Sequence, residues 1–235
     1  MLLRILLSSA PFSEKLLSSL IWIVALLPAL TFHEWAHGFM AYKLGDRTAK
    51  ADGRLSLNPL DHIDPMGALM IAIIGFGWAK PVPVNTRNFK KPKRDLALVS
   101  AAGPLMNFLL AVVAIFLVAL LWIFCSSRSM INDTTSVIIE IIQYFALINL
   151  ALGFFNLIPL PPLDGSNILM SLLPPKVAMK FSQIRYYSHY ILIGIILLSR
   201  LPGAFSPLDW LLYLQQACYN GLLGVFYKLL LPLFL

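Results

Sequence analysis

At 235 residues, 59% of them hydrophobic and only 12% charged, with a mean hydropathy of +0.79, the chain is too apolar for a water-soluble globule. Its net charge of +7 argues for no nucleic-acid partner, because the basic residues fall in clusters that flank apolar segments. A multi-pass membrane protein in contact with the lipid bilayer is the class that remains. Cys125 and Cys218, far apart and in or beside apolar runs, offer neither a disulfide framework nor a thiolate metal site.

The N-terminal Met1–Arg4 is followed by apolar residues without a small-x-small cleavage site, so it is expected to stay on the chain. The first long apolar segment begins around Leu16, passes through Leu20–Leu27 and carries His33, Glu34 and His37 near its end. Lys43, Arg47, Lys50 and Arg54 follow it, and Lys80, Arg87, Lys90, Lys91, Lys93 and Arg94 precede the next one. Both basic clusters therefore face the cytoplasm. The apolar stretch between them, Met66 to Trp78, does not cross on this reading: it is about a dozen residues where a spanning helix needs ~20, and Gly67, Gly75 and Gly77 interrupt it. A re-entrant or interfacial element is predicted there.

A second spanning helix is predicted from about Asp95 to Phe124, a polar loop over Ser126–Ser136, and a third helix from about Val137 to Leu157 that stops at prolines. A fourth leaves near Lys176, Lys180 and Arg185 and ends at Arg200–Gly203, and a fifth runs from about Leu208 to the C-terminus. The fold class predicted is an all-α polytopic membrane protein of about five to six transmembrane helices, with a re-entrant or β-like cytoplasmic-side segment between helices one and two. Residues 1–235 form one domain, with core motifs within 20–175 and C-terminal transmembrane helices over 176–235.

Ionisable groups at membrane depth cost roughly 2.5–3.5 kcal/mol each on insertion scales, so His33, Glu34 and His37 need a compensating role. On a helix His33 and His37 lie one turn apart on one face, where two imidazoles can converge on one ion while Glu34 sits alongside. Zinc lowers the pKa of bound water toward ~7, and an adjacent carboxylate can take its proton. The alternative pairs the histidines with carbonyls or waters, and Glu34 with Lys43. Two imidazoles do not complete a zinc site. Asp164, after the helix-ending Pro159, Pro161 and Pro162, is the candidate third ligand, its alternative being an N-cap of a short helix through Ser166–Leu172. Topology favours the ligand, because helix one and the inward-running helix three end on the same side. In Asp61-His62-Ile63-Asp64-Pro65 a turn is favoured over a second metal cluster, given the turn signals Pro65 and Asn58-Pro59. Asn107 is either glue between helices or a functional polar group, and Pro104 is a candidate kink.

His33-Glu34-x-x-His37, Gly103-Pro104-x-x-Asn107 and Asn156-x-x-Pro159-x-Pro161-Pro162-Leu163-Asp164-Gly165 resemble, in this order, the motifs of the site-2 protease family of intramembrane zinc metalloproteases, peptidase family M50. Gly45-Asp46, Gly53–Pro59 and Gly77–Pro83 look like its compact bacterial branch, without the PDZ or CBS domain of larger members. The resemblance implies that His33, His37 and Asp164 ligate one zinc per chain and that Glu34 activates water to attack a peptide carbonyl. It also implies that Asn107 and Asn156 hold the substrate or the motif loop. The substrate implied is a transmembrane protein or peptide cut near the cytoplasmic face, as in regulated intramembrane proteolysis, and the location is the cell membrane, bacterial by resemblance.

A transmembrane helix hides its backbone, so such a substrate must be unwound. Lys80–Val84 is read as an edge strand that receives it, with Val82 and Val84 offering their N–H groups, or else as a rigid proline-rich linker. A zinc or proton transporter would show half-repeats or further polar residues along helices four and five, which are nearly bare. A silent scaffold would have lost Glu34.

Overall fold

The computed structural model describes residues 11–74, 77–199 and 206–234. The expectations for Met1–Arg4 and for the end of helix four at Arg200–Gly203 lie outside these residues. Five helices are long: α1 (Phe12–Lys43), α4 (Pro92–Ser127), α5 (Asp133–Asn156), α7 (Pro175–Leu198) and α8 (Asp209–Leu230). Between them come α2 (Thr48–Ala51), α3 (Pro65–Ile74) and α6 (Asp164–Leu172), with short 3-10 turns at Pro59–His62, Thr86–Asn88 and Leu231–Leu233. Among the described residues, three helices are long and apolar enough to cross a membrane: α1, α4 and α5. At 24 and 22 residues α7 and α8 have the length, but Lys176 and Lys180 stand in the first and Gln215, Gln216 and Asn220 in the second.

The start of α5 lies four residues before the predicted Val137, because Asn132 and Thr135 form a capping box: the Asn132 side chain accepts from the Thr135 N–H, and the Thr135 hydroxyl accepts from the Asn132 N–H. That box carries the helix into a loop that composition alone reads as polar. α4 is the central element, in contact with α1, α5, α6 and α8. Small residues let its neighbours approach: Ala102, Gly103, Ala111, Ala114 and Ala119 are buried on α4, and Ala25, Ala29 and Ala36 on α1. Leu105, Leu109 and Val113 of α4 are exposed, an apolar face suited to acyl chains.

α3 is ten residues long, ~15 Å at the helical rise, about half the thickness of a hydrocarbon core. Its surroundings return the chain to where it left: Ile63 and Ala79 form an antiparallel bridge, and the Lys80 N–H donates to the His62 carbonyl. Gly67 backs directly onto the Trp78 carbonyl, a contact that a Cβ would not allow. Beyond the bridge the predicted edge strand does not form. No strand occurs among the described residues, and Lys80–Val84 is irregular chain held by side chains: Arg54 Nη2 donates to the Lys80 carbonyl, and Glu34 Oε2 accepts from the Val82 N–H. A donor committed to a carboxylate is not free to extend a sheet.

Asp46, fully buried just after α1, fastens this region to the approach to α4. Its Oδ1 accepts from the Thr48 N–H (3.1 Å), the Thr48 hydroxyl (2.6 Å) and Asn88 Nδ2 (2.7 Å), and its Oδ2 accepts from the Asn85 N–H (2.7 Å). Burial pushes its carboxyl group up, but the bonds from Thr48, Asn88 and Asn85 outweigh burial and hold it below the ordinary aspartate range. The folded form therefore binds its proton less readily than the unfolded chain, and the stability gained is present above the unfolded value of ~3.9 and lost as pH falls through the folded one. Asp46→Asn is expected to lower the melting temperature in detergent at pH 7. Repeating the melts below pH 4 should shrink the difference from wild type.

Candidate metal centre

His33 and His37 lie in the last three turns of α1, where the helix turns its buried face toward α4, and they are 5% and 9% exposed. Each ring is tied at Nδ1. His33 Nδ1–H donates to Asn107 Oδ1, and His37 Nδ1–H donates to the Val99 carbonyl at 2.7 Å. With both Nδ1 atoms carrying the proton, both Nε2 atoms present bare lone pairs, and these lie 3.0 Å apart. Asp164 Oδ2 completes a triangle, 3.3 Å from each Nε2. Three electron-pair donors this close are held together by a shared proton or by a metal ion. For tetrahedral zinc with bonds of 2.0–2.1 Å, adjacent ligand atoms stand ~3.3 Å apart, so the donor set and its spacing fit that ion.

Asp164 reaches the pair because α5 ends at Asn156 and residues 157–163 turn through the proline motif before α6 begins. The N-cap of α6 is Leu163, without a side-chain bond, so the capping alternative for Asp164 does not hold. A Cβ at Gly165 would strike the Leu157 and Ile158 carbonyls, which makes glycine a condition of this turn. Asn167 Nδ2 donates to Ser100 Oγ at 3.0 Å and seats α6 on α4. Gly103 forms the opposite wall: a Cβ there would lie 2.5 Å from His37 Nε2 and 2.6 Å from His33 Cε1.

Glu34 does not pair with Lys43. Its Oε2 accepts the Val82 N–H at 3.0 Å, leaving Oε1 as the other oxygen of a carboxylate beside the triangle on the same helix. The structure thus brings together His33, His37, Asp164, Glu34 and Val82. Val84 packs into a small apolar cluster around Ala41, Phe89 and Val99. Asn156 Nδ2 donates to the Leu152 carbonyl of its own helix. Asn107 departs from the expectation of substrate contact: it is 0% exposed, its Oδ1 serves His33, and its Nδ2 donates to the Ala29 carbonyl (3.2 Å) and to Asn149 Oδ1 (2.7 Å). Every polar atom of its side chain is engaged inside the bundle. Asn149 escaped sequence reasoning, although an asparagine inside an apolar helix, two turns from Asn156 on the same face, was the available signal. His62 lies in a 3-10 turn, as expected, with its Nε2 bonded to the Ser56 carbonyl at 2.8 Å. Among the described residues the His33, His37 and Asp164 group is the one cluster whose donor atoms could hold a metal.

Donors of this kind, gathered where an apolar helix ends, define a metallohydrolase built into a helix bundle. Comparison with known proteins agrees. The model of peptidase family M50 matches residues 21–134 and 123–199. YwhC of Bacillus subtilis, named as a zinc metalloprotease, is 43% identical over 171 residues, covering 73% of this chain and 77% of the relative. Rip2 of Mycolicibacterium smegmatis, named likewise, is 27% identical over 191 residues, 79% of this chain and 70% of the relative. MJ0392 of Methanocaldococcus jannaschii, also named a zinc metalloprotease, is 26% identical over 162 residues, 68% of this chain and 37% of the relative. No solved structure matches the chain at a significant level. The chain belongs to peptidase family M50 and is a zinc metalloprotease of that family.

Two substitutions probe the geometry. Gly103→Ala drives a methyl group into both imidazoles and is expected to weaken zinc retention against a chelator, with overpacking of about 1–3 kcal/mol also lowering thermal stability. Val82→Pro removes the N–H that holds Glu34 while leaving the three donors in place. Zinc content should stay at the wild-type level and cleavage should fall by about tenfold, the equivalent of one hydrogen bond.

Proposed function

We propose that the protein is an intramembrane zinc endopeptidase that hydrolyses peptide bonds of transmembrane substrates near the cytoplasmic face of a bacterial plasma membrane. The observation that carries this reading is the meeting of Nε2 of His33, Nε2 of His37 and Asp164 Oδ2 at the end of an apolar helix, with the Glu34 carboxylate beside them. One zinc ion per chain is held by these three side chains. Bound there, zinc supplies the Lewis acid that makes water nucleophilic near neutral pH and polarises the scissile carbonyl.

The rest falls to the protein's own groups. Val99 and Asn107 keep the imidazole protons on the outer nitrogens, so that both inner lone pairs stay available. Glu34, oriented by the Val82 N–H, accepts the proton of the attacking water and passes it to the leaving amine as the peptide bond breaks. Lys80–Val84 borders the site, because the Val82 N–H is bonded to Glu34, and an unwound substrate would lie beside it.

α7 and α8 cross the membrane with α1, α4 and α5, and the turn through α3 enters and leaves on one side. The Ile63–Ala79 bridge supports that return, and the basic residues on both flanks support a cytoplasmic position for it.

The test pairs zinc content with cleavage of a model transmembrane substrate in detergent. Glu34→Gln should keep its zinc and lose ~10²–10⁴ of the rate, the scale of general acid–base catalysis. Asp164→Ala should lose both zinc and activity. Normal cleavage by Glu34→Gln would remove the mechanism.

A further inference from the structure

The orientation of His33 is set by a chain of amides that ends at a backbone carbonyl two helices away. Asn149 Nδ2 donates to the Phe145 carbonyl at 2.8 Å, an atom that can only accept. That bond turns Asn149 Oδ1 toward Asn107, whose Nδ2 donates to it at 2.7 Å and to a second obligate acceptor, the Ala29 carbonyl, at 3.2 Å. Asn107 Oδ1 is thereby aimed at His33 Nδ1 and requires a proton there. Both asparagines are 0% exposed, so bulk water does not compete for these bonds.

We propose that Asn149 is a positioning residue for the metal centre, fixing the amide of Asn107 and through it the Nδ1–H tautomer of His33 that leaves Nε2 free to bind zinc. The inference rests on the proposed role of His33 as a ligand. An asparagine amide is nearly symmetric in shape, and Asn107 turned by 180° would present Nδ2 to His33. The imidazole would then have to accept at Nδ1 and carry its proton on Nε2, inside the metal pocket, where it blocks coordination. Asn149 removes that alternative by giving Nδ2 a strong acceptor on the far side. The Ala29 carbonyl, at the longer distance, opposes the turned state alone when Asn149 is lost.

The experiment uses the full-length protein in detergent. Asn149→Leu matches the side chain in size and removes the acceptor. Asn149→Asp, kept neutral by burial, can donate to the Phe145 carbonyl from one oxygen and accept from Asn107 with the other. Zinc affinity is measured by competition with a chelator, and the His33 tautomer is read from ¹⁵N shifts of the labelled metal-free protein, assigned with His33→Ala. The expected result is Nδ1–H in the wild type, a population of Nε2–H in Asn149→Leu with zinc affinity ~10–100-fold weaker, the scale of outer-shell effects, and recovery of both in Asn149→Asp.

A merely structural role would lower the melting temperature of Asn149→Leu without changing the tautomer, and that result overturns the proposal. So does an Asn149→Asp protein that folds but is no better than Asn149→Leu. Zinc affinity unchanged in His33→Ala would sink the ligand role of His33 and this inference with it. If His33→Ala loses zinc while Asn149→Leu behaves as wild type, only the inference falls.

Discussion

Three electron-pair donors held within 3.3 Å of one another inside an apolar bundle are the constraint around which the other contacts are arranged. Left to themselves they would repel one another or take up a proton. The fold prevents escape by fixing each from behind: His37 by a backbone carbonyl, His33 by a buried amide, and Asp164 by a helix start that Gly165 and the preceding proline turn bring into position. A buried polar group without a partner costs about 1–3 kcal/mol, so each of these outer bonds stabilises the bundle while it aims a ligand.

Much of that support comes from one face of one helix. Val99, Gly103 and Asn107 stand four residues apart on α4 and present to α1, in turn, an acceptor for His37, an open wall against both rings, and an acceptor for His33. Ser100, beside this stripe, receives Asn167 and so anchors the helix that carries Asp164. α4 contacts α1, α5 and α6 because its role is to hold their side chains in register, and its small residues make that approach possible. Glu34 is handled differently. It is oriented by a backbone N–H from the Lys80–Val84 segment, which is itself moored at Lys80 through Arg54 and His62 and, at the following Asn85, through Asp46.

The sequence made the long helices legible because composition and length decide them, and it made His33, Glu34 and His37 legible because helical spacing puts two of them on one face. Asp164 came through the proline motif and the shared side of two helix ends. The misses have a common physical source: they concern tertiary hydrogen bonds that leave no periodic trace. Val82 has the alternating prolines of an edge strand, yet its N–H goes to a carboxylate 48 residues earlier in the chain. Asn107 has the look of a substrate-facing polar group, yet its amide is spent on His33, Ala29 and Asn149. Nothing local marks Asn149 beyond its polarity in an apolar helix.

The glycine wall at residue 103 also bears on which ion the site can take. With no Cβ between α4 and the two imidazoles, the rings have room to bring their Nε2 atoms within 3.0–3.3 Å of each other and of Asp164 Oδ2, a spacing that suits tetrahedral bonds of 2.0–2.1 Å. Calcium, with a preference for six to eight oxygens, would find one carboxylate oxygen and two imidazole nitrogens and would lack most of its ligands. The smallest residue available at the contact of two helices thus lets two nitrogens and one oxygen converge, and the choice of cation falls to the chemistry of those donors.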